Sequence, residues 1–346
     1  MPESENLFNS LSLLLNQKIP DLIVSKSKKW MCFAQKGAAK FAWCLLAKKS
    51  PKISVWCLGN PSEIQSKYAG KINFLPRSKT TGEFGKNFQI SFMIESGQDL
   101  ENAAGLLAEV SKSWSRDELL TAYNLYCKTP VDNFKQNNED IIFYAGLLGK
   151  EPKEIVKRFK NFLRLDGNSG DKTDANIDKD DFDIWREFWS DFSKHAYESE
   201  SKIVDYENRL GNIIFPSGRD KKTFVNTRLN QNLFRMSVLS AYQNKCCITG
   251  LSAVELLNAS HIMPWAVDLK NRLNPRNGLC LNALHDRAFD RGLITIMPDY
   301  TIKISPILYK LSKENFAANN FLRYQGKKIK MPVRFAPQRE FLEYHN

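Results

Sequence analysis

The sequence predicts an α+β chain in three successive parts: a basic mixed domain, a helical middle, and a C-terminal strand–loop–strand–helix unit. Three observations carry that prediction. Up to about residue 113, short runs rich in aromatic and β-branched residues alternate with turn signals. Residues 114–165 read as wholly helical, with capping signals at the right places. Beyond residue 222, strand-like runs and a helix gather three of the four histidines of the chain.

The 346 residues suffice for two or three domains. With 42% hydrophobic and 25% charged residues, the balance is that of a globular protein and argues against wholesale disorder. No run approaches the roughly 18 apolar residues of a membrane span, so no membrane partner is expected. The opening MPESENLFNS has neither a basic stretch nor an apolar core of a secretory signal, and the expected location is the reducing cytoplasm. Cysteine usage agrees: Cys32, Cys44, Cys57, Cys127, Cys246, Cys247 and Cys280 form an odd, scattered set with no C-x-x-C pair. That excludes a disulfide framework and a structural zinc built from such pairs, and leaves the thiols as small buried hydrophobes.

The net charge of +12 is concentrated. Between Lys26 and Lys86 stand 13 Lys/Arg against two Glu, whereas the remainder holds 37 basic against 36 acidic residues. A local excess of this kind suits a polyanion, because neutralising phosphates releases counterions. Lys28, Lys29, Lys36, Lys40, Lys48 and Lys49 are the candidates for backbone contact.

Taken in order, Phe8–Leu15 is a short apolar helix, and Trp30–Phe33, Phe41–Leu46, Ile53–Leu58 and Phe88–Ile94 are strands. Gly59-Asn60-Pro61 and Thr81-Gly82 are turns, and Asp99 can cap a helix over Leu100–Ser111. Residues 1–113 thus form a basic α+β domain suited to target recognition. Ser115 and Glu118 make a capping box for the next helix. In the 114–166 segment, two helices meet at Gly149, which supplies a left-handed turn, while Pro152 sits in the first turn of the second helix. This reads as a helix-turn-helix whose second helix offers Lys153, Lys157 and Arg158 to DNA. Residues 167–221 begin as a Gly/Asn/Ser/Asp linker. Its alternating Asp174, Asn176, Asp178 and Asp180 fail as an EF-hand, since Lys179 and Trp185 stand where Gly and Glu are needed. An amphipathic helix, Phe182–Phe192, follows and buries its aromatics against a core.

Residues 222–346 carry the chemistry. A long helix over Thr223–Tyr242 leads to Cys246-Cys247-Ile248-Thr249-Gly250, then to a helical segment ending in Asn258-Ala-Ser-His261-Ile-Met-Pro264-Trp265, with His261 at a strand end, then, past a polar loop, to Asn277-Gly-Leu-Cys-Leu281. A helix from His285 to Gly292 and a hairpin, Leu293–Ile296 with Thr301–Ile304, complete it. Asp286 and Asp290, four apart, share one helix face and suit a hard divalent cation. A neutral imidazole such as His261 can take a proton from water at neutral pH. Together these groups describe a phosphodiesterase.

The runs S-H-I-M-P-W, N-G-L-C-L and L-H-D-R-A-F-D-R-G-L-I-T-I resemble the HNH nuclease domain, a ββα-metal fold, of bacterial restriction endonucleases. The lead-in R-L-N-Q-N-L-F-R-M-S-V-L-S-A-Y and the tail G-K-K-I-K-M-P-V-R-F-A-P-Q-R-E-F-L-E-Y-H are similar too, and the resemblance extends over about residues 114–346. It implies a metal-dependent endodeoxyribonuclease acting on double-stranded DNA in restriction and phage defence. Its divalent metal would be Mg²⁺, with Mn²⁺ the alternative. His261 would activate water, and Asn277 would hold the loop that aims it. Asp286 and Asp290 would be metal ligands, with His285 a third. Arg287 and Arg291 would clamp phosphates. The resemblance departs at Ser260, where many such domains carry a further ligand. One site cuts one strand, so a double-strand break calls for a homodimer or paired encounters. Two other readings stand beside this one: a signal- or partner-gated effector that cuts DNA non-specifically, and a catalytically silent DNA-binding protein.

Overall fold

The computed structural model describes residues 3–27, 29–35, 40–76, 88–166, 177–209, 233–268 and 270–346. Lys28 and Lys36, the Thr81-Gly82 turn and the first ten residues of the Thr223–Tyr242 helix lie outside them. The described chain divides into two compact units, residues 1–119 with 139–155, and residues 120–138 with 156–346. No helix of the described residues is long and apolar enough to cross a membrane.

In the first unit, α1 (Glu3–Lys18) precedes strands β1 (Leu22–Ser27), β2 (Trp30–Gln35), β3 (Lys40–Leu46) and β4 (Ile53–Cys57). A short helix, α2 (Pro61–Lys67), then β5 (Asn73–Phe74), β6 (Ile90–Ile94) and α3 (Leu100–Val110) follow. The antiparallel sheet runs β1-β2-β3-β4-β6-β5. Ala42, Cys44, Ile53, Val55, Cys57, Ile90, Phe92 and Ile94 form a core with Phe8, Leu11 and Leu15 of α1, Ile64 of α2 and Ala103, Leu106 and Leu107 of α3. Because side chains alternate across a strand, Trp43 and Trp56, directly opposite each other in the ladder, belong to the other face. Three elements depart from the expected pattern, the two-residue β5 among them. β1 was not foreseen because its Ile23 and Val24 are exposed and its second half, Ser25–Ser27, is polar. Asn60, read only as part of a turn, accepts from the Ser62 N–H and starts α2. Asp99 is also corrected: α3 does begin at Leu100, but the Asp99 carboxylate reaches back to the N–H groups of Glu95 and Ser96 instead of capping forward.

Helix α4 (Arg116–Lys128) opens on the expected capping box: the Ser115 N–H donates to Glu118 Oε2 at 2.7 Å and the Glu118 N–H to Ser115 Oγ at 3.2 Å. Helices α5 (Glu139–Leu148) and α6 (Pro152–Asp166) meet at Gly149, whose φ of 63° is the left-handed turn the sequence called for.

Of the basic face expected on α6, Arg158 is engaged inside the protein while Lys153 and Lys157 are exposed. Arg158 donates to the fully buried Asp181 at 2.6 Å, and Lys157 to Asp178 at 2.9 Å. Lys153 stays exposed beside Glu151. Arg158 is therefore a packing partner and not a free phosphate contact; sequence periodicity places it on the basic face but cannot show the acidic residues that fold back onto it. They introduce α7 (Lys179–Ser190), which buries Ile184 and Phe188 as expected of an amphipathic helix, and α8 (Phe192–Arg209) follows. The buried Asp166 carboxylate at the end of α6 accepts from Tyr126, Trp185 and Trp189 at 2.9, 2.7 and 3.1 Å. All seven cysteines are free and buried.

Arg158→Ala is expected to destabilise the protein by about 3–5 kcal/mol, since it strands the Asp181 charge in the interior. Lys153→Ala should stay within about 0.5 kcal/mol. Urea unfolding midpoints of the two variants against the wild type check this.

Candidate active site

Strands β7 (Leu257–His261) and β8 (Gly278–Asn282) pair antiparallel, with Ser260 opposite Leu279 and His261 opposite Gly278. Asn282 then caps α9 (Ala283–Asp290) by accepting from the His285 N–H at 2.9 Å, and this helix packs on both strands. The hairpin β9 (Ile294–Ile296) and β10 (Ile302–Ile304) follows as expected, its turn held by Asp299 accepting from the Thr301 N–H. The order is β–loop–β–α, with the loop 262–277 between the strands.

His261 ends its strand with one ring face against Phe234, centroids 3.8 Å apart and planes 8° from parallel, and with Trp265 edge-on at 5.5 Å. Its Nε2 lies 2.8 Å from the Arg272 carbonyl oxygen. A carbonyl only accepts, so Nε2 carries the proton and Nδ1 keeps its lone pair. Burial lowers the imidazole pKa below its ordinary value, against the opposing pull of the Arg272 carbonyl and the Asp290 charge. The ring is thus neutral at pH 7, the state a general base requires.

Asn277 is buried and its amide joins the two ends of the loop. Its Oδ1 accepts from the Met263 N–H at 2.8 Å, and its Nδ2 donates to the Met263 carbonyl at 3.1 Å. From outside, Ser193 of α8 donates to the Lys270 carbonyl at 2.6 Å, and the Arg276 guanidinium lies 3.9 Å over the Trp189 ring. The loop that carries the Arg272 carbonyl to His261 is therefore fixed from within and without.

Asp286 and Asp290, on one face of α9, line a cleft of about 550 Å³ with His261, Asn258, Ser260, Phe234, Arg235 and Trp265. Asp286 accepts from Asn258 Nδ2 at 2.6 Å and from Ser260 Oγ. Partial burial and the neighbouring Asp286 carboxylate raise the Asp290 pKa. Two carboxylates with oxygen valences to spare, side by side in an open cleft, fit a hard cation that keeps several waters. Among the described residues no group of three or more His, Cys, Asp or Glu could hold a metal, so the fit is to a cation bound by two carboxylates and completed by non-protein oxygens.

His285 does not join them. It is buried beneath the helix, with Nε2 donating to the Asn320 carbonyl at 2.7 Å and Nδ1 facing Asn282 Nδ2 at 3.1 Å, and it hydrogen-bonds Cys246. Neither nitrogen is left for a metal, which corrects its expected role as a third ligand. Burial pushes the Cys246 thiol pKa up, but its hydrogen bonds with the His285 and Thr249 side chains and with the backbone of Thr249 and Ile248 outweigh it and hold it at about 6. Arg287 and Arg291 are exposed at the end of α9. Sequence reasoning missed Asn258, Ser260, Phe234 and Arg272. The alternation along β7 puts Asn258 and Ser260 on one face, the one signal by which the first two were findable.

With this geometry in view, the comparison is direct. Residues 246–297 match the family model for HNH endonuclease. The match supports an HNH endonuclease domain in this chain and suggests a nuclease acting on DNA; HNH nucleases generally use a divalent metal. The match spans β7, β8, α9 and β9 and takes in the residues that line the cleft apart from Phe234 and Arg235. No curated protein matches the chain.

Within the HNH domain, Gly278 lies where a Cβ would meet Val238 Cγ2 at 2.4 Å and Phe234 Cζ at 3.0 Å. Gly278→Ala is expected to cost about 1–3 kcal/mol by overpacking and to weaken DNA cleavage by shifting the ring under His261. Thermal melting and a cleavage assay on the same preparation check both effects.

Proposed function

We propose that the protein is a divalent-metal-dependent endonuclease that cuts double-stranded DNA, serving as a restriction enzyme in phage defence. The observation that supports it best is the convergence of His261, Asp286 and Asp290 on one cleft within the matched HNH segment. The restriction role rests on the resemblance of residues 114–346 to such enzymes.

In this reading, Nδ1 of His261 takes the proton from a water as the water oxygen attacks phosphorus in line, and the bond from phosphorus to the 3′ oxygen breaks. The products are 5′-phosphate and 3′-hydroxyl ends. Asp286 and Asp290 would hold the divalent cation, Mg²⁺ by preference, which when bound supplies positive charge against the phosphate and the departing oxygen. Asn258 and Ser260 keep the Asp286 carboxylate oriented, a role that Ser260 takes in place of a further ligand. Asn277 holds the loop, and Arg287 and Arg291 engage neighbouring phosphates. Exposed lysines, among them Lys29, Lys48, Lys49 and Lys153, add non-specific attraction. A homodimer would bring two sites to the two strands.

Incubating plasmid DNA, unmodified or cytosine-methylated, with Mg²⁺ or Mn²⁺ tests the proposal. Wild type should give discrete fragments, and His261→Ala should lose at least about 10²-fold in rate, the contribution expected of a general base. No cleavage of either plasmid, with DNA binding intact, would overturn it. The pH profile is a separate check. The active form of His261 is the neutral one, and its pKa is depressed. The acidic limb of kcat/KM should therefore fall below pH 6.5, the ordinary imidazole value; a limb above that value would contradict His261 as the base.

A further inference from the structure

The cleft accounts for cutting but not for grip on the DNA, and the first unit holds an unexplained surface. Trp30, Trp43 and Trp56 share the sheet face opposite the helical core, because Cys32 pairs with Trp43 and Trp43 with Trp56 in the ladder. The three indoles are half-buried and set edge to face: Trp30 lies 6.2 Å from Trp43 at 85° and 5.1 Å from Trp56 at 81°. Phe88 meets Trp43 edge-on at 6.2 Å. Helices α1, α2 and α3 bury their apolar residues in the core on the other face. The Trp56 indole nitrogen has no acceptor among the described residues.

The charge around the rings selects the guest. Lys40 Nζ lies 4.6 Å from the Trp43 ring centre and Lys29 Nζ 5.6 Å from that of Trp30. These strands belong to the segment with 13 basic and two acidic residues. A cage of aromatic rings can also hold a methylated ammonium, but two lysines already over the rings and a local charge of +11 repel one. The same charge repels a second copy of this face. A polyanion that also presents flat aromatic rings meets both requirements, and a DNA strand with unpaired bases is one.

We propose that this face is a stacking platform for unpaired nucleobases of DNA, with Trp30, Trp43 and Trp56 receiving the bases and Lys29 and Lys40 the flanking phosphates. A base arriving on Trp43 or Trp30 displaces the ammonium from the ring and leaves it beside the phosphate of the same nucleotide. The choice of DNA over RNA rests on the nuclease reading; the stacking itself does not. The first unit would then engage opened or single-stranded DNA.

The test measures fluorescence anisotropy of a labelled 12-nucleotide thymidine strand with the full-length His261→Ala protein, beside an abasic strand of equal length and charge. Base stacking predicts that the abasic strand binds more weakly by roughly 5- to 150-fold for each base lost from a ring. Trp43→Ala should reduce affinity for the thymidine strand by a similar factor, Trp43→Phe by less, and neither should change affinity for the abasic strand. Equal binding of the two strands by the unmodified platform overturns the proposal without relying on any variant that fails to fold. Plasmid cleavage by wild type is read separately. Base-dependent binding without cleavage sinks the nuclease reading and keeps the platform, whereas cleavage with base-independent binding does the reverse.

Discussion

One buried amide sets the geometry on which the cleft depends. Asn277 offers an acceptor and a donor in a single planar group, and both are used on the same residue, Met263, at the start of the loop. The Ile262 N–H adds a third link by donating to the Asn277 carbonyl. An aspartate there would set one oxygen against the Met263 carbonyl, and a glutamine would carry the amide a carbon too far. With the loop closed, the Arg272 carbonyl arrives at His261 Nε2 and decides which ring nitrogen keeps its lone pair. The tautomer of His261 is thus fixed through a side chain that lies outside the cleft lining.

The electrostatics follow the same division of labour. Phe234 and Trp265 remove water from the imidazole and favour its neutral form, while Asp286 and Asp290 crowd negative charge across the cleft. Asn258 and Ser260 steady one carboxylate with neutral donors. Neutral donors orient the group without cancelling its charge, so its attraction for a cation survives.

Much of this was legible in the sequence where the cause is local. The capping box at Ser115 and Glu118, the left-handed Gly149, the Pro152 start and the Asp286–Asp290 spacing depend on residues within a few positions of one another, and each appears where expected. What escaped depends on distant partners. Arg158 reads as a DNA-facing cation until Asp181 is seen beside it. His285 reads as a ligand until the Asn320 carbonyl, 35 positions on, claims its Nε2. β1 escaped for a third reason: a strand with both faces half exposed has no alternation to reveal it.

Arg334 is 2% exposed and lies 4.3 Å over the Tyr126 ring. Its Nη2 donates to the carbonyls of Cys127 and Thr129 and to Ser240 Oγ, and Ser240 itself donates to Cys127. A residue close to the C-terminus is in this way stitched to the end of α4, more than 200 positions earlier. The second unit is thus closed on itself from the end of α4 to its far end. Residues 246–297 moved alone into a new protein would leave behind Ser193 and Trp189, which hold the loop, and Phe234, which backs the His261 ring.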